Sequence, residues 1–223
     1  MQSFDIVKKS DIAESYRVSR IMADFDVKAE HSAERFTGEI ELPEKWNIGV
    51  IVGASGTGKT TIARELFGLT EKKDFTAKSV IDDMPKGVPI DEIEKMFYSV
   101  GFGSVPSWLK PYGVLSNGEK MRVELAEMLL RERLIVFDEF TSVVDRNVAK
   151  VCSLAVQKAI RKNDKQFIAV TCHFDVIPWL KPDWVFNTDT MQMDFQNARD
   201  PKNNSRSKSA GGKNGKSLGV ITI

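Results

Sequence analysis

The sequence predicts an α/β domain built around a mainly parallel β-sheet. Two observations predict it. The short, almost unbroken apolar runs Ile48–Val52, Leu134–Phe137 and Phe167–Val170 have the length and continuity of strands buried on both faces. Segments with apolar residues at helical spacing lie between these runs, and alternation of that kind marks parallel sheets. Composition agrees, since 42% hydrophobic residues in a chain of 223 suffice for a sizeable core and exclude wholesale disorder.

Taken in order, the N-terminus MQSFDIVKKSD is polar where a secretory leader would be apolar. Residues 15–27 (SYRVSRIMADFDV) and 35–42 (RFTGEIEL) mix polar and apolar positions and are expected as strands. Ile48–Val52 runs into Gly53, and a helix is expected after Lys59 with Ile62, Leu66 and Phe67 on one face. Pro89 opens a second helix carrying Ile90, Ile93, Met96 and Phe97. Residues 100–114, rich in Gly, Pro and aromatics, are expected as a structured loop. A helix from about Ser116 places Met121, Leu125, Met128 and Leu129 on one face. The Leu134–Phe137 strand, a long helix over 146–162, the Phe167–Val170 strand and a last strand at Trp184–Phe186 complete the domain.

The expected domain spans 1–196. Residues 197–217 are low in complexity and almost without apolar side chains, so the tail 197–223 is expected to be disordered, although its final LGVITI is apolar. The net charge is +1 from 32 basic and 31 acidic residues. The tail holds six Lys/Arg and one Asp, so it carries +5 and the remainder −4. No apolar run approaches the roughly 18–20 residues that cross a bilayer. Cys152 and Cys172 belong to no CxxC or Cys/His cluster, which argues against a disulfide scaffold or structural zinc and for a reducing, cytoplasmic setting.

Gly53-Ala54-Ser55-Gly56-Thr57-Gly58-Lys59-Thr60 satisfies GxxxxGK[ST] between a buried strand and a helix. Glycines let the backbone curl so that successive N–H groups face phosphate oxygens, and the helix N-terminus adds positive charge. Lys59 would reach the β- and γ-phosphates of a nucleotide and the Thr60 hydroxyl would ligate Mg2+. The Leu134–Phe137 strand ends in Asp138 and Glu139. Carboxylates at the C-terminal end of a parallel strand lie where such folds bind ligands. Asp138 suits the Mg2+ shell, and Glu139 suits the orientation and deprotonation of an attacking water. Ser116 and Glu119 in LSNGE form an S-x-x-E capping box. The same helix start, with Ser116 and Gly118, can receive a phosphate; both roles are compatible.

The succession GASGTGKTT (53–61), LSNGEKMR (115–122), LIVFDE (134–139), SVVD (142–145) and then His173 after an apolar strand resembles the ABC-type ATPases over roughly residues 15–195. These segments look like that family's Walker A, signature, Walker B, D-loop and switch histidine in the right order. The resemblance implies a P-loop NTPase fold with an antiparallel N-terminal β part and a reduced helical subdomain. It implies ATP and Mg2+ as ligands and a head-to-tail homodimer. Each ATP would sit between the P-loop of one copy, through Thr61, and Ser116 and Gly118 of the other. Asp145 would lie at the seam, His173 would sense the γ-phosphate, and Glu139 and Lys59 would serve hydrolysis. Phe25 is the candidate for stacking on adenine; Phe36 reads as core and His31 as surface.

The chain departs from the family pattern. Asn117 and Glu119 replace Gly and Gln of LSGGQ, no glutamine occurs between Gln2 and Gln157, and 57 positions separate Lys59 from Ser116, fewer than is usual in transporter subunits. The stretch VGFGSVPSWLKPY–LSNGEK resembles short soluble bacterial and phage ABC ATPases, some fused to acetyltransferase domains. Four readings follow: an ATPase coupled to an unknown protein partner, an ABC-type ATPase acting on nucleic acid through the basic tail, a transporter's nucleotide-binding subunit, and an ATP-binding switch with negligible turnover.

Overall fold

The computed structural model describes residues 2–9, 15–27 and 33–195. The tail, its expected disorder and His31 lie outside these residues.

The apolar runs form the strands expected of them. β3 (Ile48–Val52) is flanked by β5 (Gln166–Thr171) and β6 (Trp184–Asn187), both parallel to it. β4 (Leu134–Phe137) pairs in parallel outside β5, and β7 (Gln192–Asp194) pairs antiparallel outside β6. The sheet order is β4-β5-β3-β6-β7. Two cores explain why the runs are unbroken. Ile48, Val50 and Val52 face one buried cluster with Ile135, Phe137, Phe167 and Ala169, whereas Ile51 faces a second with Val136, Ile168, Val170 and Phe186. With both faces covered, neither set of alternating positions can be polar.

The first face is covered by α3 (Ile90–Ser99), α5 (Asn117–Arg131) and α6 (Arg146–Lys162). The second is covered by α2 (Lys59–Phe67) and a two-stranded antiparallel sheet of β1 (Gln2–Lys9) and β2 (Ala33–Ile40). Phe4 meets Phe186 edge-on at 6.0 Å between ring centroids and thereby ties the small sheet to the large one.

Five expectations are corrected. Residues 15–27 are not a strand but hold α1 (Tyr16–Asp24), whose Ser15 cap accepts the Val18 N–H at 3.3 Å. Its apolar residues Val18, Ile21, Met22 and Phe25 recur at i, i+3, i+4 and i+7, the helical period. The polar N-terminus supplies β1, because Phe4 and Ile6 alternate with outward Asp5 and Val7. The 100–114 loop contains α4 (Val105–Trp108) and a 3-10 turn at Tyr112–Val114. Trp108 is buried there, donates its indole N–H to the Phe102 carbonyl at 2.8 Å and packs on Phe97. β7 follows the strand expected to be last. Ile90, expected on the buried face of α3, is exposed.

Candidate nucleotide site

β3, β4 and β5 are parallel, so the segments leaving their C-terminal ends converge on one rim of the sheet. The P-loop, residues 53–60, follows β3. Gly56 and Gly58 adopt φ of 84° and 83°, a left-handed conformation open to glycine at little cost. A Cβ on Gly58 would lie 2.4 Å from the ring of Phe36, so β2 braces the loop from below. Phe36 is buried, as expected, and Phe25 is exposed beyond the end of α1. Ser55 is exposed, and Thr61 occupies the first turn of α2.

The loop is held open by bonds the sequence did not suggest. Asp189, in the turn after β6, accepts the Ala54 N–H at 2.8 Å, and the hydroxyls of Thr57 and Thr188 lie 2.6 Å apart. A Cβ on Gly53 would fall 2.2 Å from the Thr188 hydroxyl, so this turn abuts the start of the loop. Asp189 carries the same signal as Asp138, a carboxylate just past the C-terminal end of a parallel strand, but that signal names no partner. Lys59 donates to the Ala54 carbonyl at 2.5 Å, across the concavity its own loop creates.

Thr60 Oγ1 donates to Asp138 Oδ1 at 3.1 Å. Two hard oxygens at that distance match neighbouring vertices of a Mg2+ octahedron, whose edge is about 3.0 Å for bonds of about 2.1 Å. The donor set therefore fits the metal the motif implies. Asp138 also accepts the N–H of Glu139 at 3.0 Å. Glu139 and Thr141 both carry positive φ, 56° and 67°, which is uncommon outside glycine and marks backbone held by its surroundings. The turn leaves the Glu139 side chain exposed and buries Thr141. His173, half-buried after β5, has Nδ1 3.4 Å from Thr141 Oγ1.

The Ser116 region folds as the expected capping box: Glu119 accepts the Ser116 N–H at 3.0 Å and its hydroxyl at 2.8 Å. Ser116 is exposed. Gly118 is buried, and a Cβ there would approach Val148 of α6 to 2.8 Å, so this glycine serves helix packing as well as any ligand. Asn117, where the family pattern has glycine, donates its side-chain amide to the Val143 carbonyl at 3.1 Å. Asp145 caps α6 by accepting the N–H groups of Asn147 and Val148 at 2.9 and 3.1 Å. The cap and seam segments are thus bonded together within one copy.

The hydroxyl of Ser107, followed by the N–H and hydroxyl of Ser116, holds the Glu119 carboxyl below its ordinary value against an opposing effect of burial. A lowered carboxyl value stabilises the fold above the unfolded-state value, near 4.5, and that contribution disappears as pH falls through the folded-state value. Glu119→Gln keeps the shape of the capping box but not the charge, and should therefore lower stability at neutral pH. The gap in melting temperature between wild type and variant should narrow below pH 4.5; a constant gap from pH 7 to 3 would contradict the assignment.

No family model matches the chain. A curated relative, an "Uncharacterized ABC transporter ATP-binding protein" of Haemophilus influenzae, is 30% identical over a region covering 47% of this chain and 55% of the relative. The chain thus spans about half the length of the curated relative it matches. Among solved structures, the dimeric structure of MJ0796, a bacterial ABC transporter cassette, superposes with a TM-score of 0.55 at 13% identity over 73% of this chain and 92% of that one. A dimeric post-hydrolysis state of the MJ0796 cassette bound to ADP and Pi gives the same values. An ABC transporter in an inward-facing conformation matches with a TM-score of 0.55 at 14% identity, over 74% of this chain and 78% of that one. Among the described residues no helix is long and apolar enough to cross a membrane.

Proposed function

We propose that this chain, whose fold is that of the ABC-type ATP-binding cassettes, binds Mg-ATP, hydrolyses it between two copies arranged head to tail, and couples that cycle to a protein partner. The observation that carries the reading is the Thr60–Asp138 contact of 3.1 Å at the mouth of the P-loop. It joins the hydroxyl of one motif to the carboxylate of another 78 positions away. An accidental glycine-rich turn has no reason to make that contact.

Each residue has a defined task. The N–H groups of 55–60 take the phosphate oxygens, and the ammonium of Lys59 exchanges the Ala54 carbonyl for them. Thr60 and Asp138 would hold Mg2+, which supplies charge neutralisation on the β- and γ-phosphates. Glu139, swung into solvent by its left-handed backbone, accepts a proton from the attacking water at its carboxylate. His173 faces the terminal phosphate from the end of β5. Ser116 and Asn117 at the start of α5 are exposed, and to cap the nucleotide of a second copy the Ser116 hydroxyl exchanges the Glu119 carboxylate for it. Asp145, two residues beyond the Val143 carbonyl that Asn117 holds, carries the seam.

The test is phosphate release in Mg-ATP with Lys59→Ala as control. Wild-type protein should turn over at a rate abolished by Lys59→Ala and by chelation of Mg2+. A wild-type rate equal to that of Lys59→Ala would refute hydrolysis and leave an ATP-binding switch.

A further inference from the structure

Arg146 is the first residue of α6, one position past Asp145, and its guanidinium is bound on three sides. Nε donates to Asp175 Oδ2 at 2.9 Å, Nη2 bonds to the other oxygen of the same carboxylate, and Nη1 lies 3.5 Å from Thr141 Oγ1. The ring of Trp179 supports it, 5.6 Å from the guanidinium carbon. Asp175 lies two residues after His173 in the same turn. One arginine thus joins the seam loop, the Glu139–Thr141 turn and the histidine turn.

A guanidinium only donates, so Thr141 Oγ1 accepts from Arg146. Thr141 is 1% exposed, and among the described residues the acceptor facing its hydroxyl proton is His173 Nδ1, at 3.4 Å. A ring nitrogen that accepts carries no proton in the neutral imidazole, so the proton resides on the other nitrogen.

We propose that Arg146 and Thr141 are positioning residues that fix His173 in the Nε2–H tautomer, with a donor aimed at the terminal phosphate, and that they tie this donor to the seam loop through Asp145. This rests on reading His173 as phosphate-facing. A displacement of the seam by a second copy would then move Arg146, Asp175 and His173 together.

The chain has only two histidines, so in the His31→Gln protein the imidazole 15N signals belong to His173. At a pH where the ring is neutral, nucleotide-free protein should show Nε2 protonated and Nδ1 as a bare acceptor. Thr141→Val and Arg146→Met should each bring up the Nδ1–H form, and Thr141→Ser should restore the wild-type pattern. A predominant Nδ1–H form in the His31→Gln protein overturns the proposal. So does a pattern that stays unchanged in both folded variants. Because this spectrum needs no turnover, it decides the relay even if hydrolysis fails its own test. In the phosphate-release assay, Arg146→Met should lower kcat about tenfold with KM for ATP little changed, the signature of an interaction absent from the ground state, and Arg146→Lys should recover part of the loss. Equal loss in the lysine and methionine variants, with unaltered 15N signals, would reduce Arg146 to a structural ion pair.

Discussion

Glu139→Gln is expected to slow ATP hydrolysis by about 10²- to 10⁴-fold, the usual contribution of a positioned general base, while ATP binding persists. The amide keeps the shape of the side chain and its exposed position but cannot take a proton from water. The neighbouring Thr60–Asp138 contact and the P-loop are untouched by the change, so affinity for Mg-ATP should stay near the wild-type value. Blocking the step that removes the terminal phosphate should also preserve what that phosphate holds together. In saturating Mg-ATP the variant should therefore scatter light as a particle of twice the 25.0 kDa of one copy, and in ADP as a single copy, because a ligand that binds only the assembled state stabilises it by mass action. A variant that hydrolyses at the wild-type rate removes Glu139 from the chemistry. A variant that is catalytically silent yet monomeric in saturating Mg-ATP removes the shared site instead, and the two outcomes are read from different instruments.

The parts of this molecule that were legible in the sequence are those where one local rule dominates. β3, β4 and α6 stand where the apolar runs and helical spacing put them, because strands buried on both faces leave no alternative pattern and a 17-residue helix averages out single exceptions. Residues 15–27 mix polar and apolar residues as a strand with one wet face does, but the spacing of Val18, Ile21, Met22 and Phe25 is helical. β1 was missed because a strand with one wet face is half polar by construction. At the site, the P-loop, Asp138 and the Ser116 cap were readable because each needs fixed residue types at fixed spacing. Asp189, Thr188, Arg146 and Asp175 were not. Their roles come from strands that are neighbours in the sheet but far apart in sequence: Asp189 bonds to Ala54 across 135 positions. Asn117 looked like a departure from a pattern, and its bond to Val143 became visible only once α5 and the seam loop were side by side.

That dependence on neighbouring strands gives the largest structural prediction. Gly49, the second residue of β3, lies opposite Trp184 of β6 in parallel register. A Cβ on Gly49 would sit 2.1, 2.2 and 2.6 Å from three atoms of the indole, far inside van der Waals contact. The indole has nowhere to go: it is fully buried, crossed edge-on by Trp46 at 5.4 Å and stacked on Phe67 at 5.9 Å. Gly49→Ala gains about 0.4–1 kcal/mol by restricting the unfolded chain, but overpacking of a filled core costs about 1–3 kcal/mol or more. The clash is with a rigid ring system, which places the cost at the upper end. A net loss of about 2 kcal/mol corresponds to a fall in melting temperature of about 4–8 °C for a domain of this size. The injury also reaches the site, since β3 runs directly into the P-loop and Phe67 ends the helix that the loop begins; ATP affinity should fall with stability. Trimming the indole should relieve the clash, so Gly49→Ala combined with Trp184→Leu should be less destabilised than the sum of the two single changes, the non-additivity expected of residues in contact. A Gly49→Ala protein that melts with the wild type, or a double variant whose losses simply add, would show that β3 and β6 do not pack at this register and would withdraw the support on which the phosphate cradle stands.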